Sequence, residues 1–103
     1  MPVKHLVVFE FKPGTTAAQI DSVMHSLRGL VGKIPGLVDF VGGAYSGPYP
    51  GASGLNKRYS HGFVMTFRDA ATRAGYLPHP EHLRARDALM PLLADVLAFD
   101  FEC

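Results

Sequence analysis

Apolar residues crowd the opening segment, where Val3, Leu6, Val7, Val8, Phe9 and Phe11 fall within nine positions. They are mostly β-branched or aromatic, which predicts a strand over 3–11. Period two places His5, Val7, Phe9 and Phe11 on one face and Lys4, Leu6, Val8 and Glu10 on the other. After the Lys12-Pro13-Gly14 turn, Thr16 and Gln19 have capping-box spacing, and Ile20, Val23, Met24, Leu27, Leu30 and Val31 follow the three-four rhythm of one helix stripe. Gly32 and Pro35 close that helix. A second strand is expected over 38–45, with Gly42 and Gly43 marking a bulge or a close approach. Residues 46–57, rich in glycine and proline, read as a mobile surface loop. A third strand spans 58–67, with Tyr59, His61, Phe63, Met65 and Phe67 on one face. Asp69 can cap a helix running to Leu77; Pro80 opens another that reaches about Met90, where Pro91 ends or kinks it. Residues 96–101 alternate as the last strand, Val96, Ala98 and Asp100 against Leu97, Phe99 and Phe101.

The order β-α-β-β-α(α)-β predicts an α+β fold, the ferredoxin-like β-α-β-β-α-β arrangement with a four-stranded antiparallel sheet and helices on one face. Both strand faces carry large apolar side chains, so the helix-free face, with Leu6, Val8, Val64, Leu97 and Phe99, would be an apolar patch larger than monomers usually expose. A second copy related by a two-fold axis is the simplest cover, and a homodimer is expected.

Composition narrows the classes. The 103 residues suit one domain spanning 1–103, and 48% hydrophobic with 18% charged residues is globular rather than disordered. Ten basic and nine acidic residues leave a net charge of +1 without like-charge runs, which argues against a nucleic-acid partner. The opening residues are too short and too soon charged for a signal peptide or membrane span, and the single Cys103 fits a reducing compartment. A cytoplasmic protein without a membrane partner is expected.

Candidate chemistry gathers at Tyr76-Leu77-Pro78-His79-Pro80-Glu81-His82. Two prolines bracket His79, placing it at a helix cap and His82 in the first helical turn, where aligned peptide dipoles oppose a cation. Burial would act the same way, so His82 is expected to be a neutral base near pH 7. His79-x-x-His82 has the spacing of a metal pair, but zinc needs further ligands and the only cysteine is terminal. No metal is expected. His5 and His61 share strand faces with Phe9 and Phe63, and Asp100 shares its face with Ala98; if those faces meet the helices, the three polar groups converge beneath His82 as a hydrogen-bonded network, a ligand floor, or both.

Val3-Lys4-His5-Leu6-Val7-Val8, Ile34-Pro35, Tyr59-Ser60-His61-Gly62-Phe63, Tyr76 with His79-Pro80-Glu81-His82, and Phe99-Asp100-Phe101 together resemble the stress-responsive dimeric α/β-barrel (Dabb) domain family. The resemblance runs over essentially the whole chain. It implies a homodimer whose two sheets face each other as a dimeric α/β-barrel, with a small-molecule pocket in each subunit between sheet and helices. The family includes a polyketide cyclase that needs no cofactor, and its catalytic tyrosine and histidine correspond to Tyr76 and His82. By the same resemblance His5, His61 and Asp100 belong to the pocket; Phe9 and Phe63 on the same strand faces, Met24 and Leu27 on the first helix, and His79 are expected to bind the substrate with them. The first helix presents Val23, Met24 and Leu27 where the cyclase has aromatics and a tyrosine, so the pocket wall differs in shape. The implied activity is a cofactor-free lyase or cyclase acting on a small apolar or carbonyl-containing molecule. The alternatives are a non-catalytic, stress-responsive ligand-binding or structural dimer, and a cofactor-independent monooxygenase.

Overall fold

The computed structural model describes residues 1–48, 50, 51 and 53–103; Tyr49 and Ala52, both in the expected 46–57 loop, lie outside the described residues. Four strands and three helices follow in the order β1 (Val3–Phe11), α1 (Ala17–Arg28), β2 (Leu37–Ala44), β3 (His61–Phe67), α2 (Ala70–Tyr76), α3 (Pro80–Leu89) and β4 (Leu93–Glu102). The strands form one antiparallel sheet in the order β2-β3-β1-β4. This is the ferredoxin-like β-α-β-β-α-α-β arrangement, with β1 and β3 central.

Local chemistry accounts for the element starts. The Thr16 hydroxyl accepts from the Gln19 amide at 3.1 Å, and Gln19 Oε1 accepts from the Thr16 amide at 2.9 Å, satisfying two otherwise orphaned donors of α1. At α2, Asp69 Oδ1 accepts from the Thr72 amide at 2.9 Å, and the Thr72 hydroxyl accepts from the Asp69 amide at 3.2 Å. His79 caps α3 with Pro80 in the first position. A 3-10 turn over Met90–Leu92 follows, where Pro91 cannot continue the α-helical ladder.

Three boundaries differ from the sequence expectation by three residues, the others by no more than one. α1 stops at Arg28, and the chain continues through turns in which Leu30 and Ile34 are still buried while Val31 is exposed. β3 starts at His61 rather than 58, because Lys57 (φ +56°) sits in a turn. β4 starts at Leu93 rather than 96: Glu10 pairs with Asp95 in the running register, and a shift between Glu10 and Phe11 then sets Phe11 opposite Leu93, a device that strand alternation does not reveal.

The helices cover one sheet face. There Val3, Val7, Phe9, Phe63, Met65 and Phe67 from the strands pack with Val23, Leu27, Tyr76, Ala85 and Leu89 from the helices. On the opposite face Leu6, Val8 and Val64 are half-buried, and Val41, Leu97, Phe99 and Phe101 are exposed. No helix among the described residues is long and apolar enough to cross a membrane.

Candidate active site

The register of β1 and β4 sets His5 directly opposite Asp100. Their side chains meet on the helix-covered face, with His5 Nδ1 2.6 Å from Asp100 Oδ1. The His5 and Arg73 contacts hold the Asp100 carboxyl below its ordinary value against the opposing effect of partial burial, so it is an acceptor and His5 Nδ1 carries the proton. Burial pushes the His5 imidazole below its usual range; Asp100 opposes this and Arg73 reinforces it.

From above, α2 delivers Arg73 and Tyr76 three residues apart, hence on one helix face. Arg73 Nε donates to Asp100 Oδ2 at 2.6 Å. Tyr76 is 2% exposed and crosses His5 edge-on at 5.8 Å between ring centres. Burial pushes its phenol up to about 12, so the hydroxyl remains a donor across the physiological range.

The Pro78–Pro80 turn brings α3 back against the end of α2. The carbonyl of Leu77, past the last turn of α2 and free of that helix's ladder, accepts from His82 Nδ1 at 3.0 Å. A carbonyl can only accept, so Nδ1 carries the hydrogen and the lone pair of the neutral ring sits on Nε2. The His82 ring lies on Tyr76 with centres 3.9 Å apart and planes 33° apart. Burial pushes the His82 imidazole below its usual range; the Leu77 carbonyl opposes, while Arg86, His5 and Arg73 act with burial. Glu81, the neighbouring carboxylate, is drawn to Arg84 at 2.8 Å.

Tyr76, His82, His5 and Asp100 therefore stand together at one end of the sheet. Of the other residues singled out from the sequence, Phe63 meets His5 edge-on at 5.9 Å between ring centres, and the rest have other surroundings. His61, four positions along β3 from the Met65 that pairs with His5, stacks on Phe9 at 6.3 Å, and its Nδ1 lies 2.9 Å from the Ser60 hydroxyl. Phe9, Phe63 and Leu27 are core residues. His79 is occupied as the cap of α3, its Nδ1 accepting from the Glu81 amide at 3.1 Å. Met24 and His61 do line a shared cavity of about 670 Å³, a groove between α1 and the β2 edge that also includes Arg28 and Gly43. A second cavity of about 680 Å³ lies on the opposite sheet face beneath Leu55 and Tyr59, bounded by Leu6, Val8 and Val41. Neither is lined by Tyr76 or His82. Among the described residues no group of three or more histidine, cysteine or acidic side chains is placed to hold a metal.

Arg73 is the member of the cluster that the sequence pattern did not single out. Its position three residues before Tyr76 on a short helix was the available signal, but its partner Asp100 is 27 residues away and only the sheet brings the two together.

Fold and cluster define a ferredoxin-like α+β domain whose helix-covered face holds a compact His–Tyr–carboxylate–Arg assembly. The chain belongs to the stress responsive A/B barrel domain (Dabb) family, which matches residues 3–103. It is similar to olivetolic acid cyclase of Cannabis sativa, 31% identical over 101 residues that cover 98% of this chain and 96% of that protein. An Arabidopsis thaliana crystal structure superposes with a TM-score of 0.89 at 27% identity, covering 98% of this chain and 94% of that one. A dimeric ferredoxin-like protein of unknown function from Jannaschia is 30% identical with a TM-score of 0.83, each chain covered completely.

Proposed function

We propose that this protein is a cofactor-free enzyme of the lyase or cyclase type, working as a homodimer joined through its outer sheet face, in which His82 is the base and Tyr76 the hydrogen-bond donor. The observation that carries this is the paired constraint on His82: the Leu77 carbonyl occupies Nδ1, and the ring is laid on Tyr76. That leaves Nε2 as the proton acceptor of a half-buried, neutral imidazole, suited to removing a carbon-bound proton next to a carbonyl. The Tyr76 hydroxyl, kept protonated by burial, can donate to the enolate oxygen that forms. Similarity to a protein named olivetolic acid cyclase supports a β-carbonyl or polyketide-like substrate.

A second reading, a non-catalytic binding dimer, has its own support: the two cavities of about 670 and 680 Å³ lie away from Tyr76 and His82. One series of measurements separates the two. Native mass spectrometry of the purified protein against linear β-polycarbonyl acids and simple β-keto compounds finds binders, and each binder is then assayed for turnover. The enzyme reading expects turnover that falls about 100-fold in Tyr76→Phe, the size of one lost donor at roughly 3 kcal/mol, and further in His82→Gln. Binders that bind equally to wild type and His82→Gln and emerge unchanged would establish the binding reading instead.

A further inference from the structure

Arg73 has no part in the proton transfer proposed above, yet it is held in place from three sides. Its Nε is bonded to Asp100 Oδ2 at 2.6 Å, and its guanidinium carbon lies 5.5 Å from the Tyr76 ring centre and 5.9 Å from that of Phe67. The side chain is 18% exposed, and Nη1 is buried without a hydrogen-bond partner. A surface ion pair keeps its donors in water; this one has given up that solvation to lie against two aromatic rings.

The consequence falls on His5. Asp100 divides its oxygens, Oδ2 to Arg73 and Oδ1 to His5 Nδ1, each at 2.6 Å. A lone carboxylate at that distance draws a second proton onto an imidazole. A guanidinium does not lose its proton in proteins, so it permanently offsets the Asp100 charge. We propose that Arg73 is the positioning residue that sets the proton on His5, holding Asp100 as a charge-neutralised acceptor so that His5 stays a neutral Nδ1–H imidazole with Nε2 as its only lone pair. This rests on reading the cluster as a reaction site, because its use is to keep a second positive charge away from the base His82.

The groups that face His5 are few. Asp100 comes from β4, Arg73 and Tyr76 from α2, and His82 from α3, while β3 presents Phe63, Met65 and Phe67, which do not titrate. Asp100 alone favours a proton on His5, and burial and Arg73 oppose it.

The test is a nitrogen-detected NMR titration of the full chain with labelled histidine, for wild type, Arg73→Met and Arg73→Lys. Wild-type His5 should be the neutral Nδ1–H form at pH 7. In Arg73→Met its midpoint should move upward, giving the imidazolium at a pH where wild type is neutral, and in Arg73→Lys it should return toward wild type. Finding wild-type His5 as the Nε2–H form or the imidazolium at pH 7 overturns the proposal. So does an unchanged midpoint in folded Arg73→Met, or equal shifts in both variants, which would make the effect one of packing. If Arg73→Met does not fold, Arg73→Gln, uncharged but still a donor, takes its place with the same expected shift. No substrate enters this readout. A chain that turns nothing over leaves the proposal standing, whereas turnover that depends on His82 alongside an unmoved His5 keeps the enzyme and removes the role of Arg73.

Discussion

Replacing Phe99 with aspartate tests the outer sheet face most directly. Phe99 is 59% exposed in the single chain, and Val41, Leu97 and Phe101 on the same face are 57%, 46% and 47% exposed. Fully burying a side chain of this kind contributes about 1.5–3 kcal/mol, so covering the exposed half contributes roughly 1 kcal/mol each, or about 8 kcal/mol for four positions on two subunits. That is the same order as the freedom lost on association, about 4–15 kcal/mol, before the half-buried Leu6, Val8 and Val64 add their share. Two-fold symmetry makes any substitution enter twice. Phe99→Asp removes roughly 1 kcal/mol of burial per copy. It also strands a polar group in an apolar interface at about 1–3 kcal/mol per copy. Taken twice, these terms come to about 4–8 kcal/mol, a rise in dissociation constant of at least about a thousandfold. Sedimentation velocity at micromolar concentration should show a wild-type dimer and a Phe99→Asp chain that is monomeric or has lost its fold by circular dichroism. A wild-type chain sedimenting as a folded monomer, or a Phe99→Asp dimer of unchanged affinity, would refute the reasoning.

Gly36→Ala should be among the most damaging single-methyl changes: Gly36 has φ +83°, and an added Cβ would lie 2.3 Å from Thr72 Cγ2, so the combined backbone and overpacking penalties predict a loss of about 2–5 kcal/mol in urea unfolding. Thr16→Ala removes one half of the α1 capping box and should lower stability by about 1 kcal/mol in the same assay; an unchanged urea midpoint would count against that role. His5, His61 and His82 all have native pKa values below 6.5, chiefly through burial, so the unfolded chain takes up protons first as pH falls. Their contribution to stability is complete above about pH 7 and is lost as pH drops through 6.5 toward the native midpoints, in a window where the ordinary carboxylates do not titrate. The urea midpoint should accordingly be lower at pH 5.5 than at pH 7.5, and a flat or rising midpoint would contradict the assignment.

What the chain determined by itself is what local physics can read. Strand alternation separates the helix-covered face (Val7, Phe9, Phe63) from the outer one (Leu6, Val64, Phe99) because the pleat has period two whatever the fold. Thr16, Asp69 and Pro80 mark three helix starts because capping and the missing proline N–H act within four residues. The turn that sets His79 at a cap and His82 in the first helical turn follows from two prolines. Tertiary structure decided the rest. Which polar groups meet depends on register: the β1–β4 pairing puts His5 opposite Asp100, while the β1–β3 pairing puts His61 opposite Phe9 and Met65 opposite His5, so the two histidines of the helix-covered face lie apart along the sheet rather than beneath one ligand. The bulge at Glu10/Phe11 that lengthens β4, and the carbonyl of Leu77 that chooses the His82 tautomer, come from backbone geometry that residue type does not encode. Arg73 is the clearest case. Its charge, its burial and its silence in the sequence pattern are reconciled only once β4 brings Asp100 beneath α2, because an ion pair is a property of two positions in space and neither residue carries it alone.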